Sequence, residues 1–136
     1  MATSQQALTF PHYKPEEVEV AKTFLALGRL KGNWSFWIPL DTPQSQRLIE
    51  MEAHPNAIWL WQKQADAICE TDKEIWIVEF KEKLRPSGIG QLLVYEDLYK
   101  YTYKPTKPIK LLMVARLDDP SIHPTMSRLG IRWELV

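Results

Sequence analysis

The sequence predicts an α/β layered domain, in the order helix, strand, hairpin, helix, strand, with shorter elements added. Three observations carry this reading. Apolar residues recur at helical spacing after Pro15 and again over residues 90–101. Two strand-like runs, 65–70 and 75–81, are joined by the polar link Thr71-Asp72-Lys73-Glu74. A buried-strand run, IKLLMVARL over residues 109–117, follows a break at Pro105 and Pro108.

Taken in order, residues 1–14 read as a polar tail, and residues 15–136 as a single domain. Pro15 suits a first helical turn, with Glu16, Glu17 and Glu19 near its positive end. Val18, Ala21, Phe24 and Leu25 continue the period until Gly28 to Gly32 stop it. Residues 34–40 (WSFWIPL) read as a strand with Pro39 near a sheet edge. Asp41-Thr42-Pro43 is a turn, residues 44–53 a short helix, and residues 57–62 (AIWLWQ) a further strand. Arg85-Pro86-Ser87-Gly88 breaks the second hairpin strand before the helix over 90–101, whose apolar spacing comes from Leu92, Leu93, Tyr95, Leu98 and Tyr99. Asp118-Asp119-Pro120 is a turn, 125–129 a short helix, and 131–135 a last strand.

Composition narrows the function. A chain of 136 residues has room for one core, and 45% hydrophobic with 25% charged residues is ordinary for a globular domain. Seventeen Lys/Arg balance seventeen Asp/Glu, which argues against a uniformly basic surface for indiscriminate nucleic-acid binding. A single cysteine, Cys69, excludes an internal disulfide framework, a cysteine-rich zinc site and a four-cysteine iron–sulfur cluster. No run of about 18 apolar residues predicts a membrane span, and the start lacks a basic segment followed by an apolar one, so a cytoplasmic location is expected. Charge is uneven: residues 41–79 carry eight acids against three bases, and residues 80–110 seven bases against three acids. Either the signs cluster on a solvated surface, or an acidic metal pocket lies beside a basic track.

The chemistry concentrates in the hairpin. Pairing about the midpoint of Asp72 and Lys73 sets Asp66 opposite Glu79, and strand alternation puts Lys81 on the same face with Ile68, Ile75 and Ile77. Ala67, Cys69, Trp76, Val78 and Phe80 take the other face. Opposed carboxylates with Cβ atoms roughly 4.5–5.5 Å apart repel unless something neutralises them. A divalent cation does so, since Mg²⁺ takes one or two carboxylates together with waters and phosphate oxygens. A solvated surface salt bridge is the competing reading of the same trio. Gln91 and Tyr95 are four apart and share a helical face soon after that strand. Ser87-Gly88-Ile89-Gly90 would let backbone N–H groups at the helix start approach an anion.

Together, Asp66, then Glu79-Phe80-Lys81, then Gln91-Leu92-Leu93-Val94-Tyr95 resemble the PD-(D/E)XK nuclease superfamily, in particular its RecB-like and Holliday-junction-resolvase-like branches. The resemblance covers residues 15–117, with Ala65 in place of the usual proline. It implies a restriction-endonuclease-like αβββαβ core with a mixed sheet flanked by helices. It further implies Asp66 and Glu79 as ligands of Mg²⁺ or Mn²⁺, Lys81 as the residue that activates water or stabilises charge, and Gln91 and Tyr95 as active-site support. Families of this type often add a glutamate on the first helix, and Glu17 is the choice because it shares a face with Ala21 and Phe24. The implied partner is DNA, cut by a hydrolase that acts as a structure-specific endonuclease on branched DNA or as a small repair or phage-type nuclease. A homodimer is expected where two strands are cut symmetrically. The alternative is a non-catalytic nucleic-acid-binding or assembly protein that keeps the fold.

Other residues carry less. His12, His54 and His123 have no metal-type spacing, and neither a G-x-S-x-G elbow nor a phosphate-cradling G-x-x-x-x-G-K-[ST] loop is present. Trp34, Trp37, Trp59 and Trp61 read as core or interface, with stacking on unpaired bases as the alternative.

Overall fold

The computed structural model describes residues 13–136. Pro15 opens α1 (Pro15–Leu27), Glu16 and Glu17 occupy its first turn, and Gly28 closes it in the left-handed region at φ 63°. β1 (Asn33–Leu40) follows, then two short helices, α2 (Pro43–Glu50) and α3 (Pro55–Trp61). The hairpin is β2 (Lys63–Glu70) and β3 (Ile75–Lys83). The long helix α4 (Pro86–Tyr103) leads to β4 (Ile109–Leu117), and a 3₁₀ turn at Pro120–Ile122 leads to α5 (His123–Arg128) and β5 (Ile131–Leu135).

The five strands form one mixed sheet in the order β1-β2-β3-β4-β5. The first two pairings are antiparallel and the last two parallel. A parallel neighbour cannot be reached by a tight turn, so α4 is the crossover that the β3–β4 pair requires. Each face of the sheet has its own apolar cluster. Val20, Ala21 and Phe24 of α1 pack with Ala67, Cys69, Val78 and Phe80 on one face. Ile89 and Leu92 of α4 pack with Ile68, Ile77, Leu111 and Met113 on the other. The domain is therefore α/β with helices on both faces, as expected, and the hairpin register is the expected one, with Ala67 against Val78 and Ile68 against Ile77.

Two expectations are corrected. The run AIWLWQ lies mostly in helix α3 and forms no strand. Pro55 sits in its first turn, and the His54 ring accepts the Asn56 N–H at 3.1 Å, so the local chemistry starts a helix. The apolar content misled because Trp59, Leu60 and Trp61 are exposed, at 50%, 72% and 54%. Second, α4 begins at Pro86 rather than near Gly90, so residues 87–90 are helical and not an open anion-binding loop. The Gly88 N–H donates to the Arg85 carbonyl at 3.0 Å. Gly88 lies close to β4, and a Cβ there would meet the Met113 Cε at 2.6 Å and its sulfur at 2.8 Å. The helices α2 and α3 also turn the β1–β2 connection into a detour. The capping box between Thr42 and Ser45 starts α2, with Ser45 N–H donating to Thr42 Oγ1 at 3.0 Å.

Gly32 sets the entry to β1. A Cβ at this position would stand 2.4 Å from the Glu70 carbonyl oxygen and 2.9 Å from Cys69 Sγ. Neither neighbour can yield, since one is sheet backbone and the other is fully buried. Gly32→Ala is expected to lower stability by about 2–3 kcal/mol, the usual cost of overpacking. Urea unfolding of the variant checks this, and an unchanged midpoint would contradict it.

Candidate active site

Asp66 occupies the point where the sheet opens on both sides. On the β1 side the ladder runs through Phe36–Ala67 and resumes at Ile38–Ala65, omitting the rung between Trp37 and Asp66. Trp37 has φ 54°, a left-handed conformation that costs a non-glycine residue about 1–2 kcal/mol. The face alternation shifts across this kink: Phe36 and Ala67 pack on the α1 side, whereas Ile38 and Ala65 pack on the α4 side. On the β3 side the ladder ends at Ala67–Val78, one step before Asp66 and Glu79. There the Asp66 carboxylate itself bridges the strands, with Oδ2 accepting the Phe80 N–H at 3.0 Å.

Glu79 is 2% exposed, a buried carboxyl in the middle of a parallel pair with β4. Its Oε1 has no hydrogen-bond partner, and its Oε2 lies 3.8 Å from Lys81 Nζ, an ion pair too long for a hydrogen bond. Burial raises the Glu79 pKa well above the ordinary carboxylate range, and the adjacent Asp66 charge and a hydrogen bond with that carboxyl add to this; Lys81 opposes it. Burial also raises Asp66, against the Glu79 hydrogen bond, the Phe80 N–H and Lys81. The two carboxyls are thus close enough to share a proton, and without one they face each other as like charges in a poorly solvated site.

The remaining expected residues surround this pair. Glu17 of α1 is half-buried, and its pKa is raised by burial and then by Asp66, with Lys81 lowering it. The first-helix glutamate therefore lies within electrostatic reach of Asp66 and Lys81. From the opposite face, Tyr95 of α4 is raised by burial and by the charges of Glu79 and Asp66, while a hydrogen bond from Gln91 lowers it. The Gln91 Oε1 is a second buried acceptor without a partner. All six expected residues therefore belong to one neighbourhood, contributed by α1, β2, β3 and α4.

Sequence reasoning missed Tyr13. It falls within the expected polar tail, of which residues 1–12, including His12, lie outside the described residues. Tyr13 is 7% exposed, and its hydroxyl donates to the Asp66 carbonyl. Its ring lies 5.7 Å from that of Trp37. No local sequence pattern marks it, because its partner is 53 residues away. The other two histidines have structural employment: His54 caps α3, and His123 pairs with Asp118 at 2.7 Å while stacking on Trp133.

The expected basic track is largely neutralised. Lys100, Lys107 and Lys110 pair with Glu96, Glu70 and Glu74. Among the described residues, Lys83, Arg85 and Lys104 make no ion pair, although Lys83 is within electrostatic reach of Asp119. Lys81 is the basic residue that acts on the carboxyl pair, and Lys83 and Arg85 follow two and four residues further along the chain.

Among the described residues no group of three or more His, Cys, Asp or Glu side chains is placed to hold a metal ion. The pair Asp66 and Glu79 nonetheless has the donor set that Mg²⁺ uses, one or two carboxylates with the rest of the shell left to water and phosphate. A buried carboxylate oxygen and a buried amide oxygen without donors fit a cation and its waters. No family model, no curated protein and no solved structure matches this chain, so the reading of the site rests on its own geometry.

Proposed function

We propose that this protein is a Mg²⁺- or Mn²⁺-dependent nuclease that hydrolyses phosphodiester bonds in DNA, of the PD-(D/E)XK kind. The observation that carries the reading is the buried Asp66–Glu79 pair, adjacent in space, with one Glu79 oxygen unpartnered and Lys81 3.8 Å from the other. Two carboxyls buried together cost stability unless something neutralises them. A site that must hold a divalent cation explains the cost. The order of elements agrees with the αβββαβ core expected of that superfamily, with α2 and α3 as an insertion between its first two strands.

Asp66 and Glu79 would hold the metal, which when bound supplies Lewis acidity and a water of lowered pKa. The protein side chains do the rest. Lys81, with its side chain 14% exposed, holds an ammonium where it can donate to a phosphate oxygen or orient the attacking water. Glu17 would accept a proton at the site, since its raised pKa makes it a better base than an exposed carboxylate. The Tyr95 hydroxyl stays protonated at neutral pH and is a donor for a second phosphate oxygen. Lys83 and Arg85 extend the positive surface along the phosphate backbone. Branched DNA, cut inside the cell by two copies acting together, is the proposed substrate.

The test is a panel of labelled duplex, single-stranded and four-way DNA, with matching RNA, incubated with Mg²⁺, Mn²⁺ or EDTA. Metal-dependent cleavage of DNA that EDTA abolishes is the expected result. Tight binding of DNA without cleavage by either metal would favour a non-catalytic assembly protein instead.

A further inference from the structure

The Tyr13 hydroxyl stands where the β1–β2 ladder lacks a rung. Every position from Asn33–Glu70 to Leu40–Lys63 pairs in register except Trp37–Asp66. At that gap the hydroxyl donates to the Asp66 carbonyl, and the Tyr13 ring lies 5.7 Å from that of Trp37. The phenol hydroxyl therefore supplies a donor to the Asp66 carbonyl where the ladder has no rung.

The consequence falls on the carboxyl. Asp66 is held at its carbonyl from the β1 side by Tyr13 and at its side chain from the β3 side by the Phe80 N–H. Two contacts on opposite edges of one residue fix its backbone and its χ angles together. The ring of Tyr13 is anchored in turn against Trp37, whose positive φ creates the gap. We infer that Tyr13 is a positioning residue: its hydroxyl holds the Asp66 carbonyl at the missing Trp37–Asp66 rung and thereby aims the Asp66 carboxyl at Glu79. The inference deepens the nuclease reading and rests on it for the identity of the ion, but its geometric content does not.

Tyr13→Phe tests it, because the ring stays against Trp37 and only the hydroxyl is lost. Amide hydrogen exchange followed by NMR reports the positioning without any metal. The expected result is exchange at the Trp37 and Phe80 amides faster by about tenfold or more, with Ile77 and Leu112 unchanged, since losing one bond at a gap opens it locally. Mn²⁺ affinity by calorimetry should fall by about tenfold, the effect expected of a residue that orients a ligand. Unchanged exchange at Phe80, or a uniform rise across the sheet, would overturn the inference in favour of a plain packing role. If local exchange rises and wild-type protein binds no Mn²⁺, the positioning stands and the metal reading fails. If local exchange rises while wild type and variant bind Mn²⁺ equally, Tyr13 does not aim the carboxyl, and the inference is overturned.

Discussion

Glu79→Gln is expected to make the metal-free protein more stable at neutral pH while abolishing metal-dependent cleavage. The variant keeps the shape of a side chain that is 2% exposed and removes the charge that burial and Asp66 disfavour. Its amide can donate to the Asp66 carboxylate at any pH, whereas Glu79 can do so only while it keeps a proton. A gain of about 1–3 kcal/mol in urea unfolding is the scale set by relieving a buried unsatisfied group. The sign with pH follows from the direction of the shifts. Both carboxyls hold protons more tightly folded than unfolded, so their contribution is fully present below the ordinary carboxylate range. It is lost as pH rises through the raised folded values, with a slope of up to about 1.4 kcal/mol per pH unit for each proton. Metal-free wild type should therefore lose stability over that window, and Glu79→Gln should show a much flatter profile. Saturating Mn²⁺ should restore the wild type, by about 2.7 kcal/mol at a hundred times its Kd, and do little for the variant. A variant less stable than wild type, with the same Mn²⁺ response, would show that Glu79 is structural. Cleavage by the variant should drop by about a thousandfold or more, as for the loss of a group that stabilises developing charge.

The contrast between a structural and a functional carboxyl pair also explains what the sequence revealed. The hairpin was legible because two constraints agree, a four-residue polar link and an alternation that buries isoleucines on one face. Together they fix which residue opposes which, and so they bring Asp66 to Glu79. Helical spacing likewise placed Gln91 beside Tyr95 on α4, and proline with acidic residues placed Glu17 in a first turn. The kink at Trp37 was not legible, because WSFWIPL has the composition of a regular strand and nothing local requires a positive φ. Tyr13 escaped for the same reason, since its burial depends on a gap made by residues far along the chain. The helix α3 was a different failure: apolar content outweighed the plain start signal His54-Pro55. The site was thus readable where it follows from periodicity, and hidden where it follows from a break in periodicity.

Lys81→Met separates the catalytic reading from every structural one. The methionine stem replaces the buried aliphatic part of Lys81, so the variant should fold, and only the ammonium facing Glu79 is removed. If Lys81 were a structural counter-ion, its loss would strand the carboxyls and the main effect would be on stability. As a catalytic group it acts on the phosphate or the water, and a bound divalent ion supplies the neutralisation that the carboxyls need. Cleavage should then fall by about a hundred- to a thousandfold with Mn²⁺ still bound, because a lost donor to developing charge is worth that much. The pH dependence gives the sharper signature. Lys81 lowers the pKa of both carboxyls, so removing it lets them keep their shared proton to higher pH. Metal must displace that proton, and the onset of Mn²⁺ binding should move upward in pH relative to wild type. Well above that onset, affinity should equal or exceed the wild-type value, because a like charge no longer faces the ion. Cleavage would remain low there. Recovery of cleavage in step with metal binding would assign Lys81 to tuning the carboxyls alone, whereas activity that stays low across the whole range assigns it to the chemical step.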